Sequence, residues 1–242
     1  MTKQIRLNKY MASAGVASRR QIDQYISNGE VYVNGKPAML GQLIDPDTDT
    51  VTLHSRSIGS PHQPVYYALY KPVGVISTAK DECNRKTVID LVPREPRVYP
   101  VGRLDTDSEG LIILTNDGDL TYQLTHPSQS HEKEYRVTVA YSKDAPTEGD
   151  ISVAFSQGIL INDHLMKADR VYGFTKHRKD NKELLSFSIV LYTGLNRQIR
   201  RMCAKLGLEV VVLKRIRIAN LHLNSLNIKP GEYIKINKTN II

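Results

Sequence analysis

Three acids and an arginine crowd into the decapeptide Gly102-Arg103-Leu104-Asp105-Thr106-Asp107-Ser108-Glu109-Gly110-Leu111, which runs straight into the apolar stretch Leu111-Ile112-Ile113-Leu114. A short continuous apolar run bounded by turn signals reads as a buried strand, and Gly102 and Gly110 relax the backbone on either side of the acids. A turn of this kind can hold one carboxylate, Asp105, at the edge of a cleft on a rigid element. A carboxylate so placed can serve as nucleophile or general base. The same ten residues also fit a solvated loop in which Arg103, Asp105, Asp107 and Glu109 make casual ion pairs.

Cations follow further along. In Gly194-Leu195-Asn196-Arg197-Gln198-Ile199-Arg200-Arg201-Met202-Cys203, a turn of about 100° per residue puts Ile199, Met202, Cys203 and Leu206 on one core-facing stripe. Arg197, Arg201 and Lys205 fall on the opposite, solvent side. Arg200 falls at the border, beside Cys203, where a partly desolvated guanidinium needs an anionic partner. Asp105 is the natural candidate, and another acid in a structural ion pair is the alternative. Along Leu213 to Ile218, strand alternation places Ile216 and Ile218 on one face and Leu213, Arg215 and Arg217 on the other. Leu213 is then the odd apolar residue on a basic face, able to pack on a base or ribose or simply to edge the core.

Charge distribution narrows the partner. The 242 residues carry a net charge of +8, which favours a polyanion, nucleic acid or an acidic membrane surface. From Arg197 to Arg217 there are seven basic residues against one acid, Glu209, so this segment alone supplies six of those net charges. Cys83 and Cys203 are too few and too far apart for a disulfide framework or a paired-cysteine zinc site. The amino terminus lacks the apolar core of a signal peptide, and no stretch approaches the roughly 20 apolar residues that span a bilayer. A cytoplasmic location is expected.

The elements that must position these groups fall into two parts. Leu7 to Ala14 has helical character, and Ser18-Arg19-Arg20-Gln21 is a capping-box pattern opening a second helix that Asn28-Gly29 ends. Glu30 to Val33 alternates like a strand, Asn34-Gly35 suits a tight primed turn, and Val51-Thr52-Leu53 offers a later partner. Lys3, Arg6, Lys9, Arg19 and Arg20 all precede the first acid, Asp23, so the helices should present a basic face for RNA phosphates. Ser55 to Pro64, rich in Ser, Gly and Pro, marks a linker. The expected division is an RNA-binding module over 1–58, a linker over 59–64 and a catalytic domain over 65–242. Beyond the linker, strand-like runs at Val65 to Tyr70, Leu111 to Thr115, Tyr135 to Ala140, Ser186 to Leu191 and Val210 to Ile218, without regular βαβ alternation, indicate an α+β domain on a central mixed or antiparallel sheet. Lys176 to Lys182 reads as a polar hairpin tip.

The motif Gly-Arg-Leu-Asp followed by Asp-Ser-Glu-Gly-Leu resembles the catalytic-aspartate motif of the bacterial RsuA-type pseudouridine synthases. Tyr70-Lys71-Pro72-Val73-Gly74-Val75, His131-Glu132-Lys133-Glu134-Tyr135 and the Gly194 to Cys203 segment resemble the family's other motifs, in the family's order. The wording is nearest to its branch acting on large-subunit ribosomal RNA. The helix pair followed by Val-Tyr-Val-Asn-Gly resembles the alpha-L RNA-binding module of a small-subunit ribosomal protein. These resemblances imply a pseudouridine synthase fold with its site in a cleft of the sheet, and Asp105, Tyr135 and Arg200 as catalytic residues. They also imply Leu213 lining the site and Arg103, Arg197, Arg201 and Arg215 binding substrate. Tyr135 would take the proton from carbon five of the turned base while its ring stacks on uracil.

Turning uridine into pseudouridine exchanges one bond for another with no net oxidation, so no cofactor or metal is expected, and a monomer acting on ribosomal RNA or transfer RNA is. Two other readings compete. A non-catalytic RNA-binding or ribosome-assembly factor would bind RNA indifferently to Asp105. A metal enzyme would draw on Asp105, Asp107, Asp117 and Asp119, but the turn Thr115 to Asp119 lacks the closing glutamate of a cation loop.

Overall fold

The computed structural model describes residues 4–129, 131–142 and 145–242. The backbone divides into two compact units. One is Met1–Val65 with the short pieces Glu95–Arg97 and Asn116–Gly118; the other is Tyr66–Arg94, Val98–Thr115 and Asp119–Ile242.

The first unit carries β1 (Ile5–Arg6), α1 (Leu7–Ser13), α2 (Arg19–Ser27), β2 (Val31–Val33), β3 (Lys36–Pro37), β4 (Leu43–Ile44), β5 (Val51–Leu53) and β6 (Arg56–Ser57). Helix α2 starts where the Ser18 hydroxyl accepts from Gln21 N at 3.3 Å, and Asn28 and a positive-φ Gly29 end it, as the sequence predicts. Asn34 and Gly35, both at positive φ, close the β2–β3 hairpin, and β5 pairs with β2 in a sheet ordered β3-β2-β5-β6. Leu7, Met11, Ile22, Ile26, Val31, Ile44 and Val51 form its core. The stretch Ser55 to Pro64, read as linker, is strand at Arg56–Ser57: His54 and Ser55 both take positive φ and turn the chain back onto β5.

The second unit carries β7 (Tyr66–Lys71), β8 (Tyr99–Val101), β9 (Glu109–Thr115), α3 (Gly118–Thr125), β10 (Lys133–Ala140), α4 (Glu148–Gln157), β11 (Ile159–Ile161) and β12 (His164–Met166). It continues with β13 (Arg170–Lys179), β14 (Lys182–Leu191), α5 (Gln198–Lys205), β15 (Glu209–Ile218), β16 (Leu221–His222) and β17 (Tyr233–Lys235). The main sheet is ordered β13-β14-β10-β15-β9-β7-β17, with β8 on β9 and β16 on β15. Among the described strands of this sheet β9 and β15 run parallel and the other pairs antiparallel, so the α+β domain is built on a mixed sheet. The five apolar runs read as strands are β7, β9, β10, β14 and β15. The Lys176 to Lys182 segment is mostly strand; its tip is just Asp180 and Asn181, both at positive φ.

Two apolar clusters flank this sheet. Val137, Val139, Phe187 and Ile189 pack with Ile151 and Phe155 of α4 and with Ile199, Met202 and Cys203 of α5. That confirms the stripe expected of α5, each such aliphatic side chain contributing about 1.5–3 kcal/mol. Ala68, Tyr70, Leu111 and Ile113 pack with Leu120 and Leu124 of α3.

The parallel contact of β9 with β15 is short, Glu109 with Lys214 and Gly110 with Arg215. A Cβ on Gly110, whose φ is +113°, would lie 2.3 Å from the Arg215 carbonyl oxygen and 2.6 Å from its nitrogen. The strand carrying the acid turn can approach β15 so closely only at a glycine. Gly110→Ala is therefore expected to destabilise the protein by more than about 3 kcal/mol, read as a lowered midpoint in urea unfolding followed by far-ultraviolet circular dichroism.

Candidate active site

Residues 103–108 join β8 to β9 without helix or strand geometry, so their backbone carbonyls must find donors elsewhere. Each has one. Arg103 O accepts from Arg215 Nη1 at 3.5 Å, Leu104 O from the Ser77 hydroxyl at 2.8 Å, and Asp105 O from Ser108 N at 3.1 Å. Thr106 O accepts from Gly74 N at 2.8 Å, Asp107 O from Arg200 Nη2 at 2.8 Å, and Ser108 O from Lys71 Nζ at 2.7 Å. Ser77 also receives the Leu104 N–H at 3.1 Å. The turn is thus a rigid mount, and Asp105 projects from it with about a third of its side chain exposed (32%).

The arginine facing Asp105 is Arg197, whose Nη1 lies 3.6 Å from Asp105 Oδ2. Its guanidinium also forks onto Asp107, at 3.3 and 3.0 Å. Arg200, expected beside Asp105, instead reaches Asp107 Oδ1 at 3.3 Å and donates to the Asp107 and Val210 carbonyls and the Ser108 hydroxyl. The helical stripe placed Arg200 correctly at the border of the core. It misplaced Arg197, which is no part of the helix: at φ +50° it stands left-handed in front of α5 and folds onto the acids rather than toward solvent. Burial pushes the Asp107 carboxyl up, but the Arg197 hydrogen bond and the Arg200 charge outweigh it and hold it below the usual carboxylate range.

A cleft of about 290 Å³ opens beside Asp105, walled by Tyr135 from β10, Leu213 from β15, Leu191 from β14, and Arg103, Leu195 and Arg197. Leu213 and Tyr135 are both nearly buried, at 6% and 8% exposure, so the cleft has an apolar floor with the carboxylate at its lip. A second, more open hollow lies along Val73, Gly74 and Ile76 and shares Arg103, Asp105 and Arg197. Arg200, Arg201 and Arg215 do not line the cleft. Arg215 is buried behind it, its Nε donating to Leu111 O at 2.7 Å. Simple alternation failed here because β15 bulges: Glu134 faces Arg217 and the next residue, Tyr135, faces Arg215, which leaves Ile216 unpaired. Arg215 and Arg217 therefore point to opposite faces, and Arg217 pairs with Glu132 and Glu134 instead.

Sequence reasoning missed the residues that fix the loop before α5. Gln198, buried, accepts from Leu195 N at 3.1 Å and donates to Lys167 O at 3.0 Å, which sets the path of residues 195–197. A polar residue where the helical pattern turns inward was the available signal. Asp117 and Asp119 lie where β9 gives way to α3, and among the described residues no three His, Cys, Asp or Glu side chains converge as metal ligands. In the first unit Arg6 ends β1, Lys9 lies in α1, and Arg19 and Arg20 open α2, with Arg19 donating to Asn8 at 3.1 Å. Lys3 lies outside the described residues.

Lys71 is fully buried under the acid turn, and burial lowers its pKa to about 8 despite the nearby charges of Asp105 and Asp107. Its folded pKa lies below the unfolded value, so between pH 8 and 10.5 the unfolded chain binds more protons and stability rises with pH. Wild type should gain up to about 3 kcal/mol over Lys71→Met across that range, measured as paired urea titrations at successive pH values.

The chain matches the family model described as RNA pseudouridylate synthase over residues 65–205 and the S4 domain over residues 5–49. It is 42% identical over 226 residues to the dual-specificity RNA pseudouridine synthase RluF of Escherichia coli K12, covering 92% of this chain and 72% of that protein. It is 37% identical over 223 residues to the ribosomal large subunit pseudouridine synthase B of Bacillus subtilis, covering 92% and 88%. Among solved structures, a pseudouridylate synthase crystal structure superposes with a TM-score of 0.63 at 26% identity, covering 98% of both chains. With an S4 domain ahead of the catalytic fold, the chain belongs to the RNA pseudouridine synthase family, a family of isomerases.

Proposed function

We propose that this protein isomerises a specific uridine of large-subunit ribosomal RNA to pseudouridine, as a cytoplasmic monomer and without a cofactor. The observation that carries the reading is Asp105, 3.6 Å from Arg197 at the lip of a cleft floored by Tyr135 and Leu213. The names of the Escherichia coli and Bacillus subtilis relatives support an RNA, and specifically a ribosomal, substrate.

The reaction breaks the bond from ribose C1′ to uracil N1, turns the base, joins C1′ to C5 and releases the C5 proton. Asp105 is the carboxylate that engages the nucleotide, and Arg197 orients it and balances its charge. The uracil lies against Leu213, and Tyr135 takes the C5 proton. Arg103 contacts the substrate at the cleft rim. Arg200 acts as a positioning residue by holding the turn at Asp107, and Arg215 as another by bonding Leu111 O. Arg201 serves the RNA backbone outside the cleft. The target leaves its stack to enter, at about a few kcal/mol, which favours loops and distorted RNA. Residues 1–58 form the RNA-binding module, with Arg6, Lys9, Arg19 and Arg20 on phosphates, joined by 59–64 to the catalytic domain over 65–242.

Tritium release from RNA labelled at uridine C5 tests this directly. Wild type should release tritium from large-subunit transcripts in the presence of chelator, while Asp105→Asn binds the same RNA and releases none. Equal binding by both proteins with no release from any ribosomal or transfer RNA would overturn the reading. Tyr135→Phe should lose at least about 100-fold in single-turnover rate, the usual worth of a proton-transfer group, with RNA affinity unchanged.

A further inference from the structure

The cleft does not end at the lip that carries Asp105. The open hollow along Val73, Gly74 and Ile76, of about 520 Å³, shares Arg103, Leu104, Asp105 and Arg197 with it, so one continuous space passes over the carboxylate. A nucleotide whose ribose C1′ lies at Asp105 belongs to a polymer, and its neighbour along the strand needs a place beside the same carboxylate. The hollow supplies one.

Its two walls are fixed to each other. Gly74 N donates to Thr106 O at 2.8 Å, which holds residues 72–77 against the acid turn, and the Ser77 hydroxyl donates to Leu104 O and accepts from Leu104 N. On one wall Val73 is 60% exposed, with Ile76 half-buried beside it. On the other, Asp107 is held by Arg197 and Arg200. Among the described residues, the Arg103 guanidinium and the Thr106 hydroxyl have no hydrogen-bond or ion-pair partner.

The carboxylates of Asp105 and Asp107 repel a phosphate from the interior of the hollow. An apolar wall facing a free hydroxyl suits a ribose, whose ring carbons pack on Val73 and Ile76 and whose 2′-hydroxyl pairs with Thr106 Oγ1. The linking phosphate then crosses where the two spaces meet, at Arg103.

We infer that this hollow is a second nucleotide subsite, which holds the ribose of the residue adjacent to the target uridine and in which Thr106 reads that ribose's 2′-hydroxyl. The inference rests on the synthase reading and extends it to how RNA is told from DNA beside the target.

The test uses the full chain and a short large-subunit RNA containing the uridine that releases tritium, remade with a single 2′-deoxynucleotide on its 5′ side or on its 3′ side. Thr106→Val, which removes the hydroxyl and keeps the shape, should raise the RNA concentration for half-maximal release about fivefold on the all-ribose RNA, the worth of one hydrogen bond. Wild type should show the same loss on one of the two deoxy RNAs, and on that RNA Thr106→Val should add nothing. Val73→Asp, which sets a further carboxylate in the hollow, should raise the same concentration about tenfold. Val153→Asp, an equal change of charge at an exposed α4 position that lines neither space, should leave it unchanged. Losses by Thr106→Val that are equal on every RNA, or no loss on the all-ribose RNA, overturn the subsite, as does Val73→Asp behaving like Val153→Asp. No release by wild type from any RNA overturns the synthase reading itself, and the subsite with it.

Discussion

Six successive carbonyls, from residue 103 to residue 108, lie in a segment that is neither helix nor strand, and the arrangement of the catalytic domain around them answers that demand. At the buried Leu104 and Ser108 an unpaired carbonyl would cost about 1–3 kcal/mol. Five of the six donors come from outside the segment, from Lys71 and Gly74 at the end of β7 and just beyond it, from Ser77, from Arg200 on α5 and from Arg215 on β15, and the sixth is Ser108 N within it. Two of the cations a reader would assign to the substrate are consumed in this way. The basic character of the motifs around Arg200 and Arg215 is in part architectural, and the guanidinium left to meet the Asp105 carboxylate is Arg197.

Division of labour between the two turn acids follows from the same geometry. Asp107 accepts Arg200 and both arms of Arg197, so it anchors the cations. Among the described residues, Asp105 meets Arg197 through Nη1 at 3.6 Å, longer than a hydrogen bond, and lines the cleft. One carboxylate is fixed so that its neighbour can stay available, and the left-handed backbone at Arg197 lets one guanidinium serve both.

Much of this was legible in the sequence. Leu111 to Leu114 and the runs of β7 and β14 announced central strands because burial on both faces writes a continuous pattern, while β10 was announced by alternation. Asn34-Gly35 and Ser18 announced their turn and cap because few residue types meet those backbone demands. Strand β13 escaped notice because it lies at the sheet edge, where most of its residues stay exposed and the pattern fades. The partners of Arg197, Arg200 and Arg215 were misjudged for a different reason. Helical and strand periodicity assume unbroken geometry, and both fail at one residue: the positive φ of Arg197 and the unpaired Ile216. The family motifs named Asp105, Tyr135 and Leu213 without that assumption, and these three converge on the cleft.

The donors that fix the acid turn are drawn from segments up to 112 positions away along the chain. No local stretch can therefore assemble the reactive geometry ahead of the rest, since β7, α5 and β15 must all be docked before the last carbonyl is satisfied. The geometry of the acid turn is thus a property of the assembled domain and of no single segment. A chain in which β7, α5 and β15 are not docked on the turn leaves its carbonyls without those donors.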